Sequence, residues 1–185
     1  MNQNHIPYKV VSQSDELMQI LIDSNYCLDF NLICVCHNLL ASFNEFKSSF
    51  NIIIAAGGLV QKNNSELLMI YKNGIWDLPK GKIDKTESAE LASIREVSEE
   101  TNLSKLRILS DYFSTYHIYG EFTDASMMCL KETKWFLMDT SANPDLITPQ
   151  ISEGITQVKW IPFQQIKNFR TYNSIKFLLK SFHIL

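Results

Sequence analysis

Glu96, Glu99 and Glu100 lie within a run of good helix formers, Ala89–Thr101. Spacings of three and four residues put the three carboxylates on one face of a helix. Like charges at these spacings repel each other by about 0.2–0.5 kcal/mol per pair on an isolated helix. A hard divalent cation turns this repulsion into binding, because Mg²⁺ takes oxygen ligands and commonly shares its shell with substrate phosphates. The pattern therefore indicates a cation site for phosphate chemistry, with a solvated acidic face as the alternative.

The segment before the glutamates should be a loop that ends in a helix cap. Pro79 and Gly81 disfavour a helix there, and either Thr86 or Ser88 can act as the N-cap. Small residues accompany the carboxylates on their face of the helix: Ala89, Ala92 and Ser93. The core is therefore expected on the opposite face, along Leu91, Ile94, Val97 and Thr101.

The residues around the glutamates resemble the Nudix box, G-x5-E-x7-R-E-U-x-E-E-x-G-U, where U is aliphatic. The matching positions are Gly81, Glu87, Arg95, Glu96, Val97, Glu99, Glu100 and Leu103. At ordinary residue frequencies, the fixed charged and glycine positions would agree by chance on the order of once in ten million windows. Asn102 replaces the second glycine of the box. Asparagine is the next-best residue for a left-handed conformation just past a helix, so this departure should cost little.

The resemblance implies hydrolysis of a nucleoside diphosphate linked to a further group X, with Mg²⁺ as cofactor and Mn²⁺ as an alternative. Such a cation activates water near neutral pH and neutralises charge on the pyrophosphate. By resemblance the metal ligands are Glu96, Glu99, Glu100 and the backbone carbonyl of Gly81, and one of the three glutamates also acts as the base. The resemblance further implies that Glu87 and Arg95 pair and fix the loop to the helix.

Two lysines flank Gly81 in the sequence PKGK and add positive charge beside the box. Lys80 and Lys82 are candidate contacts of a long polyphosphate, and exposed loop lysines are the alternative. Upstream, paired glycines in the apolar run IIIAAGGLV predict a bulge or a close backbone approach within a strand. The resemblance places such a strand beside the substrate, so Gly58 is a candidate substrate contact, with a packing role as the alternative.

Two further candidates lie after the box. Glu153 falls in a predicted loop, Pro149–Gly154, where many Nudix enzymes carry a glutamate that serves as base or ligand. A surface glutamate is the alternative interpretation. His117 lies in the strand pattern STYHIYG and is a candidate substrate contact, with a hydrogen-bonded strand histidine as the alternative.

The order of the elements predicts an α/β (α+β) fold in which helices cover a sheet. Residues 1–50 are expected to form a small N-terminal α/β extension in which no chemistry is visible. Residues 51–185 match the Nudix domain, which the resemblance sharpens to an α/β/α sandwich around a mixed β-sheet. We expect a loop from Trp76 to the box helix, a turn at Gly120–Ala125, and an apolar stripe of Ile175, Leu178, Leu179 and Phe182 on the last helix.

Composition restricts the class of partner. The 185 residues are 45% hydrophobic and 20% charged, with a net charge of −3, which argues against a nucleic-acid surface. The first residues are polar and no apolar run is long enough for a membrane span, so neither a signal peptide nor a membrane contact is expected. The four cysteines show no disulfide framework, which favours the cytoplasm. The predicted partner is a small-molecule substrate of the nucleoside diphosphate type, and a homodimer is left open.

The identity of X is where the sequence stops being specific. PKGK resembles the loop of diadenosine polyphosphate and some oxidised-nucleotide hydrolases, whereas ADP-ribose and nucleotide sugars stay open. A non-catalytic nucleotide-sensing module is a second hypothesis, although such modules often have eroded carboxylates. A third is an isoprenoid diphosphate isomerase, which needs an active-site cysteine; Cys129 is the one cysteine after residue 50.

Overall fold

A computed structural model of the chain describes residues 8–12, 14–23, 31–120 and 128–185. The chain divides into two compact units, the first comprising Met1–Ile53 with Ile118–Lys131 and the second comprising Ile54–His117 with Glu132–Leu185. The first unit thus includes Ile118–Lys131, a segment that the sequence analysis assigns to the Nudix domain. The predicted boundary at residue 50 stays a prediction.

The first unit contains a two-stranded parallel sheet and two helices. Its elements are β1 (Tyr8–Val11), α1 (Ser14–Asp23), β2 (Asn31–Cys34) and α2 (Leu39–Ser48). The side chain of Asn38 caps α2 by accepting a hydrogen bond from the N–H of Ala41 at 3.0 Å. A small apolar cluster packs around Phe50, Met128 and Leu130. The unit therefore has a modest core of its own.

The remaining elements are an eight-stranded sheet and three helices. In chain order they are β3 (Asn51–Lys62), β4 (Glu66–Lys72), β5 (Ile75–Asp77), β6 (Lys80–Lys82), α3 (Ala89–Thr101), β7 (Leu106–Ile108), β8 (Phe113–Tyr119), β9 (Cys129–Thr140), β10 (Ile155–Pro162), α4 (Phe163–Ile166) and α5 (Asn173–Ser181). The strand order is β10-β4-β3-β9-β7, and β5, β6 and β8 pair with β4, β3 and β9. A 3-10 turn, Ile151–Glu153, precedes β10.

Alternating side chains of the central strands pack into two separate cores, one on each face of the sheet. Along β3, Leu59 belongs to the core that includes residues of α4 and α5, whereas Ala56 and Val60 belong to the core that includes residues of α3. Because successive strand residues point to opposite faces, the sheet lies between α3 on one side and α4 with α5 on the other. This is the predicted α/β/α sandwich.

The predicted stripe of α5 faces one of these cores. Ile175, Leu178 and Leu179 are buried, and Phe182 packs against the same cluster. Trp135, in the middle of β9, is 1% exposed. Burial of such large apolar side chains is the main stabilising contribution on this face of the sheet, at about 25 cal/mol per Å² of apolar surface.

The prediction of a loop from Trp76 onward is wrong in two places, where short strands form. Residues of β5 pair with β4, and Lys80–Lys82 forms β6, which pairs antiparallel with Ala55–Gly57 of β3. Strands of three residues are too short to show a period of two in the sequence, and their pairing depends on neighbours that are distant along the chain.

The expected orientation of α3 is also wrong at one position. Leu91 is 62% exposed, whereas Ala92 and Ser93 are buried together with Val97. The small side chains let the helix approach the sheet on the carboxylate side as well, whereas the predicted Val97 and Thr101 are buried and Ile94 packs against the same core.

Both ends of α3 lie where the sequence predicts them. Ser88 is the N-cap and accepts a hydrogen bond from the N–H of Leu91 at 3.3 Å. Asn102 is the C-cap, with φ of 59° in the left-handed region, and its N–H donates to the carbonyl of Ser98. The predicted conformation at the position of the second box glycine is therefore confirmed.

Among the described residues, no helix combines the length and the apolar composition that a membrane crossing requires. Cys34, Cys36 and Cys129 are free thiols, and Cys27 lies outside the described residues. So does the predicted turn Gly120–Ala125, apart from Gly120 itself.

Candidate active site

The carboxylate of Glu96 packs directly against the backbone of Gly81. A Cβ atom at position 81 would overlap the carboxyl group of Glu96. Pairing of Gly81 with Ala56 of β3 holds β6 in this place. The missing side chain therefore serves close approach between β6 and α3, and it brings the backbone that carries the Gly81 carbonyl next to the glutamates of the helix.

Arg95 fastens the loop after β6 to the helix. Its Nε donates to Oε1 of Glu87 at 3.0 Å and its Nη2 to Oε2 of Glu87 at 2.8 Å, which is a bidentate pair. Nη2 also donates to the carbonyl of Lys82 at 3.1 Å. The hydrogen bonds from Arg95 lower the pKa of Glu87. The predicted pairing of Glu87 with Arg95 is confirmed.

The same guanidinium also forms hydrogen bonds with two of the box glutamates. Nη1 of Arg95 donates to Oε1 of Glu96 at 2.7 Å and to Oε2 of Glu99 at 3.1 Å. Both carboxylates therefore lie within hydrogen-bonding reach of one nitrogen atom. Burial raises the pKa of Glu96, and the negative charges of Glu99 and Glu153 raise it further against the opposing effect of Arg95.

Glu100 is the most deeply buried carboxylate of the group. It is 4% exposed, and its Oε2 accepts a hydrogen bond from the backbone N–H of Lys80 at 2.8 Å. Burial raises the pKa of Glu100 to about 7, although the charges of Lys80 and Lys72 and the backbone hydrogen bond oppose the rise. A buried carboxylate that titrates near neutral pH is a common feature of functional sites.

Lys80 is held by a partner that sequence reasoning missed. Its Nζ forms an ion pair with Oδ2 of buried Asp77, whose Oδ1 accepts from the N–H of Leu78 at 2.8 Å. Lys80 is therefore not the exposed loop lysine of the alternative interpretation, and its ammonium is already engaged. Lys82 is exposed, and its role as a phosphate contact stays a prediction.

Glu153 lies on a segment that is tied to the end of α3. Hydrogen bonds from the N–H of Thr148 to the carbonyl of Thr101 and from the N–H of Gln150 to the carbonyl of Glu100 tie its loop to the end of α3. Glu153 is 56% exposed and lies 3.4 Å from Nζ of Lys72. Its negative charge adds to the raised pKa of Glu96, and its role as base or ligand stays a prediction.

Gly58 is closely packed against neighbouring side chains. A Cβ atom at this position would lie 2.7 Å from Cγ2 of Val97 and 2.8 Å from Sδ of Met138. This contact supports the packing alternative for Gly58, and the role of Gly58 as a substrate contact stays a prediction. His117 is exposed on β8, next to strand β9, and its role as a substrate contact stays a prediction.

The donor set has the chemistry of a site for a hard divalent cation. Glu96, Glu99, Glu100 and Glu153 supply only carboxylate oxygens, which suit Mg²⁺ or Mn²⁺. Within residues 8–12, 14–23, 31–120 and 128–185, no three His, Cys, Asp or Glu side chains already converge as a metal cage. Arg95 and the N–H of Lys80 hold oxygens that a cation would take, so binding requires an exchange of partners.

Two residues of this region carried weak sequence signals. Asp77 interrupts an apolar run three residues before Lys80, a spacing that permits an ion pair. Lys72 is the last residue of the strand pattern of β4. Neither belongs to the box, and only the folded chain brings them to the glutamates.

Comparison with known proteins agrees with this geometry. The NUDIX domain family model matches residues 52–180 of the chain. An RNA pyrophosphohydrolase of Baumannia cicadellinicola subsp. Homalodisca coagulata is 29% identical over 154 residues, which are 75% of this chain and 94% of that protein. Nudix hydrolase 5 of Arabidopsis thaliana is 29% identical over 129 residues, which are 65% of this chain and 39% of that protein.

Solved structures share the fold. The Caenorhabditis elegans Ap4A hydrolase in a binary complex superposes with a TM-score of 0.56 at 25% identity, over 71% of this chain and 95% of that one. A MutT protein of Methanosarcina mazei Go1 superposes with a TM-score of 0.53 at 21% identity, over 72% and 94% of the two chains. The predicted fold class, a mixed sheet between helices, is confirmed. Because the family model covers most of the chain and the box carboxylates are all in place, the chain belongs to the Nudix family and is a hydrolase of phosphoanhydride bonds.

Proposed function

We propose that this protein is a Mg²⁺-dependent pyrophosphohydrolase, with Mn²⁺ as an alternative cofactor, that acts in the cytoplasm on a nucleoside diphosphate linked to X. Nucleoside triphosphates and diadenosine polyphosphates are the substrates of first choice. One observation carries the proposal: Glu100 is buried beside Glu96, and its carboxyl pKa is raised to about 7. A cation supplies the charge that such a carboxylate needs, and the same charge attracts a phosphate chain.

Each residue of the site has a role in this proposal. Glu96, Glu99 and Glu100, with the carbonyl of Gly81, hold the cation, which when bound activates water and neutralises the charge on the pyrophosphate. Glu153, on the loop tied to the end of α3, is the candidate base, because it is exposed enough to exchange a proton with solvent. Arg95 and Glu87 position the helix against the loop without touching the reacting atoms.

The relatives support a substrate with a chain of phosphates. The Caenorhabditis elegans neighbour is an Ap4A hydrolase and the Baumannia relative is an RNA pyrophosphohydrolase. The second name makes the phosphorylated end of an RNA the second candidate substrate. The net charge of −3 argues against an extended RNA-binding surface, so small nucleotides come first. ADP-ribose and nucleotide sugars are the further alternatives.

The test is a substrate panel measured with Mg²⁺, with Mn²⁺ and with a chelator. The panel comprises a nucleoside triphosphate, diadenosine tetraphosphate, ADP-ribose, a nucleotide sugar and an RNA with a 5′-triphosphate. We expect hydrolysis of the first two, dependence on the cation, and loss of activity in the chelator. The Glu100→Gln variant provides the matched inactive control.

Other outcomes would overturn the proposal in distinct ways. Hydrolysis of the RNA in strong preference to small nucleotides would move the function to the second candidate. Nucleotide binding without hydrolysis of any panel member, with either cation, would favour the nucleotide-sensing module.

A further inference from the structure

Lys72 stands at the end of β4, beside the loop that carries Glu153. Strand pairing sets this position, since Lys72 lies opposite Ile155 of β10, two residues after Glu153. Its Nζ is 3.4 Å from Oε2 of Glu153, and the two side chains are 31% and 56% exposed. Exposed ion pairs of this kind are weak and exchange readily.

Both members of this pair also act on the box carboxylates. Against the dominant effect of burial, the positive charges of Lys80 and Lys72 lower the pKa of Glu100. The negative charge of Glu153 adds to the raised pKa of Glu96. Backbone hydrogen bonds from Thr148 and Gln150 to the end of α3 hold the loop of Glu153, and with it this ion pair, beside the helix that carries the box glutamates.

Two other cations at the site are already committed. Lys80 is held by buried Asp77, and Arg95 binds Glu87 and two box glutamates. In the part of the chain that the structure describes, the ion pair formed by Lys72 is the one with exposed Glu153. Lys72 can thus change partner without leaving a buried charge uncompensated.

We propose that Lys72 binds the phosphate chain of the substrate by exchanging Glu153 for phosphate. This inference rests on the proposed function and adds to it the residue that distinguishes long phosphate chains from short ones. The exchange also releases the Glu153 carboxylate toward the cation site. Lysine acts on phosphate as a point charge, so its effect grows with the number of phosphates in reach.

The test compares Lys72→Ala and Lys72→Arg with the wild type and with Lys176→Ala, a matched change at an exposed lysine of α5. We measure kcat/KM for diadenosine tetraphosphate and for ADP-ribose at low and high salt. Lys72→Ala should lower the first value about fivefold and the second much less. High salt should shrink the difference, Lys72→Arg should restore most of it, and Lys176→Ala should change neither value.

Binding of inorganic tripolyphosphate, followed by calorimetry in the presence of Mg²⁺, separates this inference from the proposed function. Weaker binding by Lys72→Ala, with Lys176→Ala unchanged, supports the role of Lys72 even if neither nucleotide is hydrolysed. Equal losses on both nucleotides, or unchanged tripolyphosphate affinity, would overturn it while leaving the hydrolase function standing. Lys72→Gln keeps the length of the stem and replaces Lys72→Ala if circular dichroism shows that the alanine variant is unfolded.

Discussion

The backbone N–H of Lys80 donates to Oε2 of Glu100 at 2.8 Å while the ammonium group of the same lysine is paired with Asp77. Lys80 thus connects buried Asp77 to Glu100, the most deeply buried carboxylate of the site. The arrangement makes the orientation of Glu100 depend on a residue outside the Nudix box.

Replacing Glu100 by glutamine should remove activity and keep the fold. The change is nearly isosteric, and the amide oxygen can still accept from the N–H of Lys80. The lost carboxylate should lower turnover by about 100-fold or more, as expected for a group that holds the cation. Turnover and a Mg²⁺ titration measure the effect, and circular dichroism checks the fold. Unchanged activity would remove Glu100 from the cation site.

The pair of Arg95 and Glu87 should behave as one unit. Arg95→Ala should weaken Mn²⁺ binding by about tenfold, the usual size for residues that orient metal ligands, and should lower the melting temperature. A double-mutant cycle with Glu87→Ala should show non-additive loss, because either single change already breaks the bidentate contact. Additive losses in both affinity and melting temperature would contradict the coupling.

Asp77→Asn should destabilise the protein and weaken cation binding together. The variant leaves the Lys80 ammonium without its counter-charge, at a cost of about 1–3 kcal/mol at this partly buried position. Adding Lys80→Met should recover much of the melting temperature, because no unpaired charge then remains. Asp139→Asn is the matched control, since Asp139 pairs with Arg107 at the surface.

Thermal melts and Mn²⁺ calorimetry on these variants distinguish two roles for Asp77. A fall in melting temperature with full cation affinity would make Asp77 a purely structural residue. Loss of affinity in Asp77→Asn, but not in Asp139→Asn, supports the connection through Lys80 to Glu100.

Glu100 should also give the metal-free protein a characteristic dependence of stability on pH. Its pKa is raised from an ordinary 4.5 to about 7, mainly by burial, so the folded state keeps this proton at pH values where the unfolded state loses it. Its contribution is therefore complete below about pH 4.5 and is lost as the pH rises through 7. At about 1.4 kcal/mol per pH unit, the loss is on the order of 3 kcal/mol.

Denaturant unfolding in a chelator at pH 5.5, 6.5 and 7.5 measures this effect. The free energy of unfolding of the wild type should fall with pH relative to that of Glu100→Gln, which has no proton to lose at this position. Parallel pH dependences in the two proteins would show that Glu100 titrates normally.

Local signals made part of this site predictable from the sequence. The extent of α3, the cap at Ser88 and the left-handed Asn102 follow from residues that are neighbours along the chain. The pairing of Arg95 with Glu87 follows from the box. By contrast, β6 exists because β3 offers an edge to pair with, and three residues carry no periodic signal.

The error at Leu91 has a similar origin. Apolar character suggested that this residue faces the core, yet the small residues Ala92 and Ser93 decide which side of the helix can approach the sheet. The partner of Lys80 and the placement of Lys72 beside Glu153 depend on contacts between strands and loops far apart in sequence. Such contacts become visible only when the chain is folded.

The two glycine positions of the Nudix box obey different physical rules in this chain. Position 81 has no positive φ, and its restriction is one of volume, since any side chain would collide with Glu96. Position 102 is restricted by backbone dihedral angles, with φ of 59°, and space is not the issue. Mutational tolerance should therefore differ: position 102 accepts asparagine or glycine, whereas alanine at position 81 would push the carboxylate of Glu96 out of its place. In a library of variants selected for activity, position 102 should vary between asparagine and glycine, whereas substitutions at position 81 should be lost because they displace a carboxylate of the candidate site.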